Sequence, residues 1–392
     1  MSKESNVGPM AAVDVFMIER RWSRNVCIRC GKTYYSKSFD EAVSIGECGR
    51  CGNSRAFLQM SKRKRPVLPV QVHNRLAKHF ADAGFKTMPV MNIADTRGTT
   101  DLIIAGVQIF DGLIHRGEKA LEGGMFVGQP SVRMQFQDAV VSEDGVSTSF
   151  INVCTEKAHE TFEGHLSTLD RWFGALSSLG LNMRDFTIVM RTSENDWGTG
   201  PFDALELFCV YGGLELGDAA YMQVPTRSGT IVNVSDIGFG LERIVWALNK
   251  TPLYYDLLMP GVVTIPREVC DAYRTITLLA LSGVRPGNKG PGLQFRRFAK
   301  ALSEQHCEVD LRAVVGYYLH YWSDFVRDAL KSESVYQVIS LEIDRFFNLK
   351  MCAAHDLSPP LEETTEEYFQ RLVYTLGMDA QELRQLIQTC RH

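Results

Sequence analysis

The sequence predicts an α+β fold in three consecutive segments, and three observations carry that expectation. A β-branched run from Ile231 to Ser235 is followed by Leu241, Ile244, Val245 and Leu248, apolar at i, i+3, i+4 and i+7. That pattern reads as a buried strand passing into an amphipathic helix near Gly238-Phe239-Gly240. Two Cys-x-x-Cys pairs stand near the start of the chain, and from about residue 256 the apolar spacing is helical. The expected division is residues 1–65, 66–255 and 256–392, enough chain for each segment to bury a core.

Composition narrows the function classes. The chain has 392 residues and a formal net charge of -4, so a nucleic acid partner must be met by a local basic patch and not by the overall field. No apolar run reaches the roughly 18 residues of a membrane span, and residues 1 to 10 lack the basic start and apolar centre of a signal peptide. A cytoplasmic setting with no membrane partner is expected. Ten cysteines without a secretion signal point to thiols and metal ligation over disulfides. There is no internal repeat and no low-complexity segment.

In the first segment, Cys27-x-x-Cys30 and Cys48-x-x-Cys51, seventeen residues apart, have the spacing of two knuckles that converge on one tetrahedral Zn²⁺. Gly31, Gly49 and Gly52 stand where such knuckles turn. Four thiolates close the coordination sphere, so the zinc is expected to be structural. The run Lys62-Arg63-Lys64-Arg65, bounded by Pro66 and Pro69, reads as a linker, either solvated or touching phosphate.

The strand-to-helix stretch has the makings of a ligand site. Gly238 and Gly240 let backbone approach a ligand closely, and the helix start beyond them suits a phosphate. Arg243 adds a planar donor fork, and Asp236 offers a carboxylate to an ammonium.

The run Asp236-Ile237-Gly238-Phe239-Gly240-Leu241-Glu242-Arg243 resembles motif 3 of class II aminoacyl-tRNA synthetases, and the longer stretch to Val263 resembles alanyl-tRNA synthetases of the archaeal type. The resemblance implies an antiparallel sheet flanked by helices, with an N-terminal zinc ribbon and a C-terminal helical domain. It implies that Asp236 binds the amino group of alanine and that Arg243 binds the phosphates of ATP. Gln129-Pro130-x-x-Arg133 resembles the start of motif 2, which assigns Arg133 to the α-phosphate. There a planar fork can follow charge building on the phosphate. Mg²⁺ is the implied partner of the phosphates.

One departure stands out. Where the second strand of motif 2 carries a glutamate in the family, this chain has Ile151, or Asn152 if the placement shifts by a residue. Gln135, Gln137 and Asp138 replace the charged residues expected near the adenine.

Further on, Lys157 to Leu179 reads as an amphipathic helix with Phe162, Leu166, Leu169, Phe173 and Leu176 buried, and His159 and His165 as ordinary surface or second-layer residues. Ser193 to Val224 resembles the family's alanine-pocket region. Trp197 is either a wall of that pocket or a core aromatic, and Asp203 or Glu206 is a polar group near it. In the third segment, Cys270 to Leu302 resembles the family's tRNA-recognition domain. Arg296, Arg297 and Lys300 give one helix a basic side that either meets tRNA phosphates or is simply solvated. The resemblance covers only the front of the family's usual architecture, without the editing domain's His-x-x-x-His motif.

The implied reaction is ATP-dependent activation of an amino acid, alanine first, and its transfer to the end of tRNA. Two alternatives stay open, a non-tRNA acceptor and a non-catalytic tRNA-binding module. A zinc hydrolase is disfavoured, because the four-cysteine site leaves no open position.

Overall fold

The computed structural model describes residues 8–37, 46–52, 55–62, 65–95, 100–259, 265–304, 309–326, 332–355, 357–358, 360–361, 363–376 and 378–391. Arg63 and Lys64 of the basic run, Thr99 and Pro359 lie outside them. The first half of the chain forms α1 (Pro9–Glu19), β1 (Ser23–Val26), β2 (Thr33–Ser36), α2 (Pro69–Asp82), β3 (Lys86–Thr87), α3 (Asp111–Arg116), β4 (Met125–Val132), α4 (Ala139–Ser142), β5 (Ser149–Ala158) and α5 (Phe162–Leu179). There follow β6 (Phe186–Asp196), β7 (Pro201–Tyr211), β8 (Leu214–Pro225), β9 (Ile231–Gly240) and α6 (Leu241–Asn249). The remainder is helical, with α7 (Tyr254–Leu258), α8 (Arg267–Leu281), α9 (Gly290–Ser303), α10 (Leu311–Ser323), α11 (Ser332–His355), α12 (Thr365–Gln370) and α13 (Ala380–Arg391). No helix among the described residues is long and apolar enough to cross a membrane.

The strands form one sheet in the order β1-β2-β6-β7-β8-β9-β5-β4-β3, antiparallel throughout except for the short β3–β4 pair. The antiparallel sheet flanked by helices that the sequence led us to expect is therefore present. The β7–β8 hairpin closes through Gly212-Gly213, both at positive φ, the requirement of a tight two-residue turn. β2 pairs with β6, so the segment bearing the cysteines extends the same sheet.

One face of the sheet is covered by α5 and α2. Leu166, Leu169, Phe173 and Leu176 are buried as the periodicity predicts. Trp172 joins them, packing on Phe239 with ring centroids 4.5 Å apart and donating its indole N–H to Thr155 Oγ1 at 2.8 Å. The helix begins at Phe162 and not at Lys157, because Lys157 and Ala158 complete β5 and Thr161 caps the helix by accepting the Gly164 N–H. His165 is buried against Ser235 Oγ at 2.8 Å, and burial pulls its pKa down to about 3, so it packs as a neutral residue.

β9 runs on through Gly238 and Gly240 before α6 begins, so the two glycines are strand residues with ordinary extended backbone, not a turn. A Cβ on Gly238 would stand 2.8 Å from Asn152 Nδ2, so the Asn152 amide would have to shift to admit one. Beyond it, α6 buries Leu241, Ile244, Val245 and Leu248 as expected. Glu242 also turns inward and forms an ion pair with Arg274 of α8, both side chains 0% exposed. The Glu242 carboxylate accepts the Tyr321 hydroxyl at 2.7 Å and the Ile151 N–H at 3.1 Å. One buried carboxylate thus ties α6 to β5, α8 and α10.

Candidate active site

Cross-strand partners point to the same face of a sheet, so the register fixes what lies on the face opposite α5. One row carries Asn152 of β5 beside Gly240 of β9. The next carries Cys154, Gly238, Asp218 and Phe208, and the next Glu156, Asp236, Ala220 and Glu206. The glycines in β9 leave the middle of this face open. Above it is a cleft of about 480 Å³ lined by Arg133, Phe150, Asn152, Glu215, Asp218, Gly238, Gly240, Arg243 and Arg50 among others.

Two arginines that the sequence singles out meet in this cleft. Arg133 follows directly on β4; its Nε donates to Ile104 O at 2.9 Å, and its guanidinium lies 5.0 Å from the Phe150 ring centroid. Arg243, one turn into α6, donates from Nε to Gly145 O at 2.7 Å and from Nη1 to Glu215 O at 3.0 Å. Backbone carbonyls fix both forks, so their orientation is set before any ligand arrives.

Position 151 points away from the cleft. Ile151 is fully buried in the core, while its neighbour Asn152 faces the ligand side and accepts the Gly106 N–H at 2.8 Å. Asn152 is therefore the polar group that this end of β5 presents to the cleft, and Ile151 is not part of its wall.

Asp236 lies two residues back from Gly238 along β9, partly exposed. Burial raises its pKa to about 6, with Glu156 and Arg133 opposing. Asp218, which the sequence did not single out, lines the cleft beside it and is raised to about 7 by burial, then by Asp236 and Glu215, against Arg133. Glu156, also missed, is buried at 1% exposure, and neither carboxylate oxygen has a hydrogen-bond partner of good geometry. Burial and then Asp236 hold it well above the ordinary carboxylate range. No local motif marks these residues. Only strand register brings them beside Asp236.

Other expected site residues fall elsewhere. Glu206 is on the same row as Asp236 but pairs with Arg191 at 2.7 Å. Trp197 is half-buried beside Phe202, edge-on at 5.3 Å, and packs against a small apolar cluster with Val107, Ala220 and Met222. On α9, Arg296 turns to Glu342 of α11 at 3.1 Å, whereas Arg297 and Lys300 are exposed, and Phe295, Phe298 and Leu302 face inward.

The four cysteines converge: the Sγ atoms of Cys27, Cys30, Cys48 and Cys51 all lie within 4.8 Å of one another. Cys30 and Cys48 are 3.8 Å apart, close to the edge of a tetrahedron built on Zn–S bonds of about 2.3 Å. The Cys48 N–H donates to Cys27 Sγ at 3.2 Å, as suits a thiolate. The donor set fits a closed structural zinc. For Mg²⁺, Asp218 is a cleft carboxylate of the kind that holds the ion alongside phosphates, whereas Glu215 is paired with Arg50 at 2.9 Å.

No family model matches the chain. Its curated relatives include the alanine--tRNA ligases of Methanosphaera stadtmanae, 24% identical over 264 residues, and Sulfurisphaera tokodaii, 20% over 404 residues. The chain is similar to archaeal alanine--tRNA ligases. The two alignments take in 62% and 84% of this chain but 27% and 44% of those enzymes, so the chain spans less than half the length of these alanine--tRNA ligases. That of Archaeoglobus fulgidus is 24% identical over 63% of this chain and 28% of its own. Among solved structures, a pyrrolysyl-tRNA synthetase of Desulfitobacterium hafniense overlaps 52% of this chain and 74% of its own, with TM-score 0.37 and 18% identity.

Proposed function

We propose that this protein activates an amino acid, alanine first, as its adenylate at the expense of ATP and passes it to an acceptor, by default the 3′ end of tRNA. The observation that carries the reading is the meeting of Arg133 and Arg243 in one cleft, with Asp236 one step further along β9. The substrate ammonium sits against Asp236, and its carboxylate oxygen attacks the α-phosphorus of ATP. A P–O bond forms, the bond to the β-phosphate oxygen breaks, and pyrophosphate leaves with the electron pair. Arg133 and Arg243 stabilise the charge on the phosphates, and Asn152 adds a neutral hydrogen-bonding group. Were Mg²⁺ bound, Asp218 would be the cleft carboxylate to hold it, and the ion would supply further neutralisation of the phosphates. No side chain acts as nucleophile; the rate comes from positioning and preorganised charge. Residues 1–65 then serve as the zinc-bearing segment, 66–255 as the activating core and 256–392 as the acceptor-binding part, in the cytoplasm.

A second reading, transfer to an acceptor other than tRNA, draws on α9. Arg296 is committed to Glu342 and Asn288, which leaves Arg297 and Lys300 as the exposed cations of the basic side that the sequence marked. Incubation with labelled alanine, ATP and total tRNA separates the two. Base-labile, ribonuclease-sensitive label supports tRNA charging. Pyrophosphate release without labelled RNA favours the other acceptor, and no pyrophosphate release under any condition sinks both.

A further inference from the structure

The zinc knuckle reaches the cleft. Arg50 lies between the ligands Cys48 and Cys51, and its side chain lines the same cleft as Arg133 and Arg243. The knuckle has little freedom to move away. A Cβ on Gly49 would stand 2.2 Å from Thr187 Oγ1 and 2.8 Å from Val210 Cγ1, so the backbone there lies directly on β6 and β7. Cys27 and Cys48 are buried against Tyr34, Val189, Phe208 and Val210.

The Arg50 guanidinium is also aimed. It lies 4.3 Å from the Phe208 ring centroid, on the ring that Arg191 approaches at 4.7 Å, and it pairs with Glu215 at 2.9 Å. The backbone carbonyl of Glu215 accepts from Arg243. A single residue at the start of β8 therefore holds Arg50 through its carboxylate and Arg243 through its carbonyl. Of the cleft's other carboxylates, Asp144 is paired with Arg55 and Arg267 and Glu242 with Arg274, while Glu143 and Asp218 also line it. Arg50 has 35% side-chain exposure and lines the cleft.

We propose that Arg50 is a third phosphate-binding arginine, delivered to the nucleotide's phosphate chain by the cysteine knuckle. The proposal rests on the activation reading for its ligand. It gives the knuckle a task beyond holding the edge of the sheet. The zinc site would set the position of a cation that the polyphosphate needs, and pyrophosphate alone carries enough of that chemistry to report it.

The test is calorimetric binding of pyrophosphate, ATP and adenosine to the full chain, for wild type, Arg50→Ala and Arg50→Lys, with metal content and thermal melting checked for each. Loss of one charge-assisted contact is expected to weaken pyrophosphate and ATP about tenfold or more in Arg50→Ala, with Arg50→Lys between and adenosine unchanged. Pyrophosphate bound by Arg50→Ala as tightly as by wild type, or adenosine weakened in equal measure, overturns the assignment. Wild type that binds neither ATP nor pyrophosphate overturns it together with the activation reading. If the expected pattern appears but no amino acid supports pyrophosphate exchange, the Arg50 site is upheld and the activation reading alone falls.

Discussion

Glu156 of β5 and Asp236 of β9 are register partners on the ligand face of the sheet, two carboxyl groups side by side with Arg133 as the nearby cation. A substrate ammonium needs the ionised form of Asp236, whose pKa is raised to about 6. Amino acid affinity, followed by calorimetry, should therefore be full well above that pH and fall as pH drops through about 6. Arg133 lowers both Asp236 and Asp218. Arg133→Gln should move the falling limb to higher pH, and a profile flat between pH 5 and about 8 would remove Asp236 as the ammonium ligand.

The buried pair Glu242–Arg274 makes a stability prediction. Arg274→Met leaves Glu242 with a hydroxyl and a backbone amide but no cation, and denaturant melting should show a loss of about 3–5 kcal/mol. Adding Glu242→Leu should return part of that loss, since an apolar pair of similar volume is often tolerated.

The direction of position 151 can be checked by placing a glutamate there. Ile151 is fully buried, with its N–H on Glu242. Ile151→Glu would place a second carboxyl group in that interior and should destabilise by roughly 3 kcal/mol or more. Asn152→Ala should melt within about 1–2 kcal/mol of wild type and instead weaken nucleotide binding. Equal stability of Ile151→Glu and wild type would contradict the register.

Metal analysis should find one zinc per chain, lost in Cys48→Ser. Because β1 and β2 form the edge of the sheet next to β6, stripping the metal should cost about 2 kcal/mol or more, roughly 4 °C in melting temperature. An unchanged melt would mean that the thiols hold nothing of structural weight.

What was legible in the sequence was whatever local pattern encodes. The Cys-x-x-Cys pairs, the strand feeding α6, and Arg133 and Arg243 each sit in a short motif with its own periodicity or spacing. Asp218 and Glu156 do not, and Asn152 entered only as the alternative to Ile151. They reach the site because β5, β8 and β9 pair in one register, and a one-residue slip would turn each to the opposite face. Arg50 was hidden for a different reason: nothing in a knuckle's spacing says what the residue between two ligands will point at. The turn expected at Gly238-Phe239-Gly240 is strand because β5 pairs with all three residues and β8 with the first two, which sequence alone does not distinguish from a bend.

The most direct test of the central claim is amino-acid-dependent exchange of pyrophosphate into ATP, surveyed across the twenty amino acids for wild type and Asp236→Ala. The arrangement of Arg133, Arg243 and Asp236 predicts exchange that depends on alanine and is lost in the variant. Exchange with no amino acid, with or without tRNA, would contradict activation of any proteinogenic substrate at this cleft.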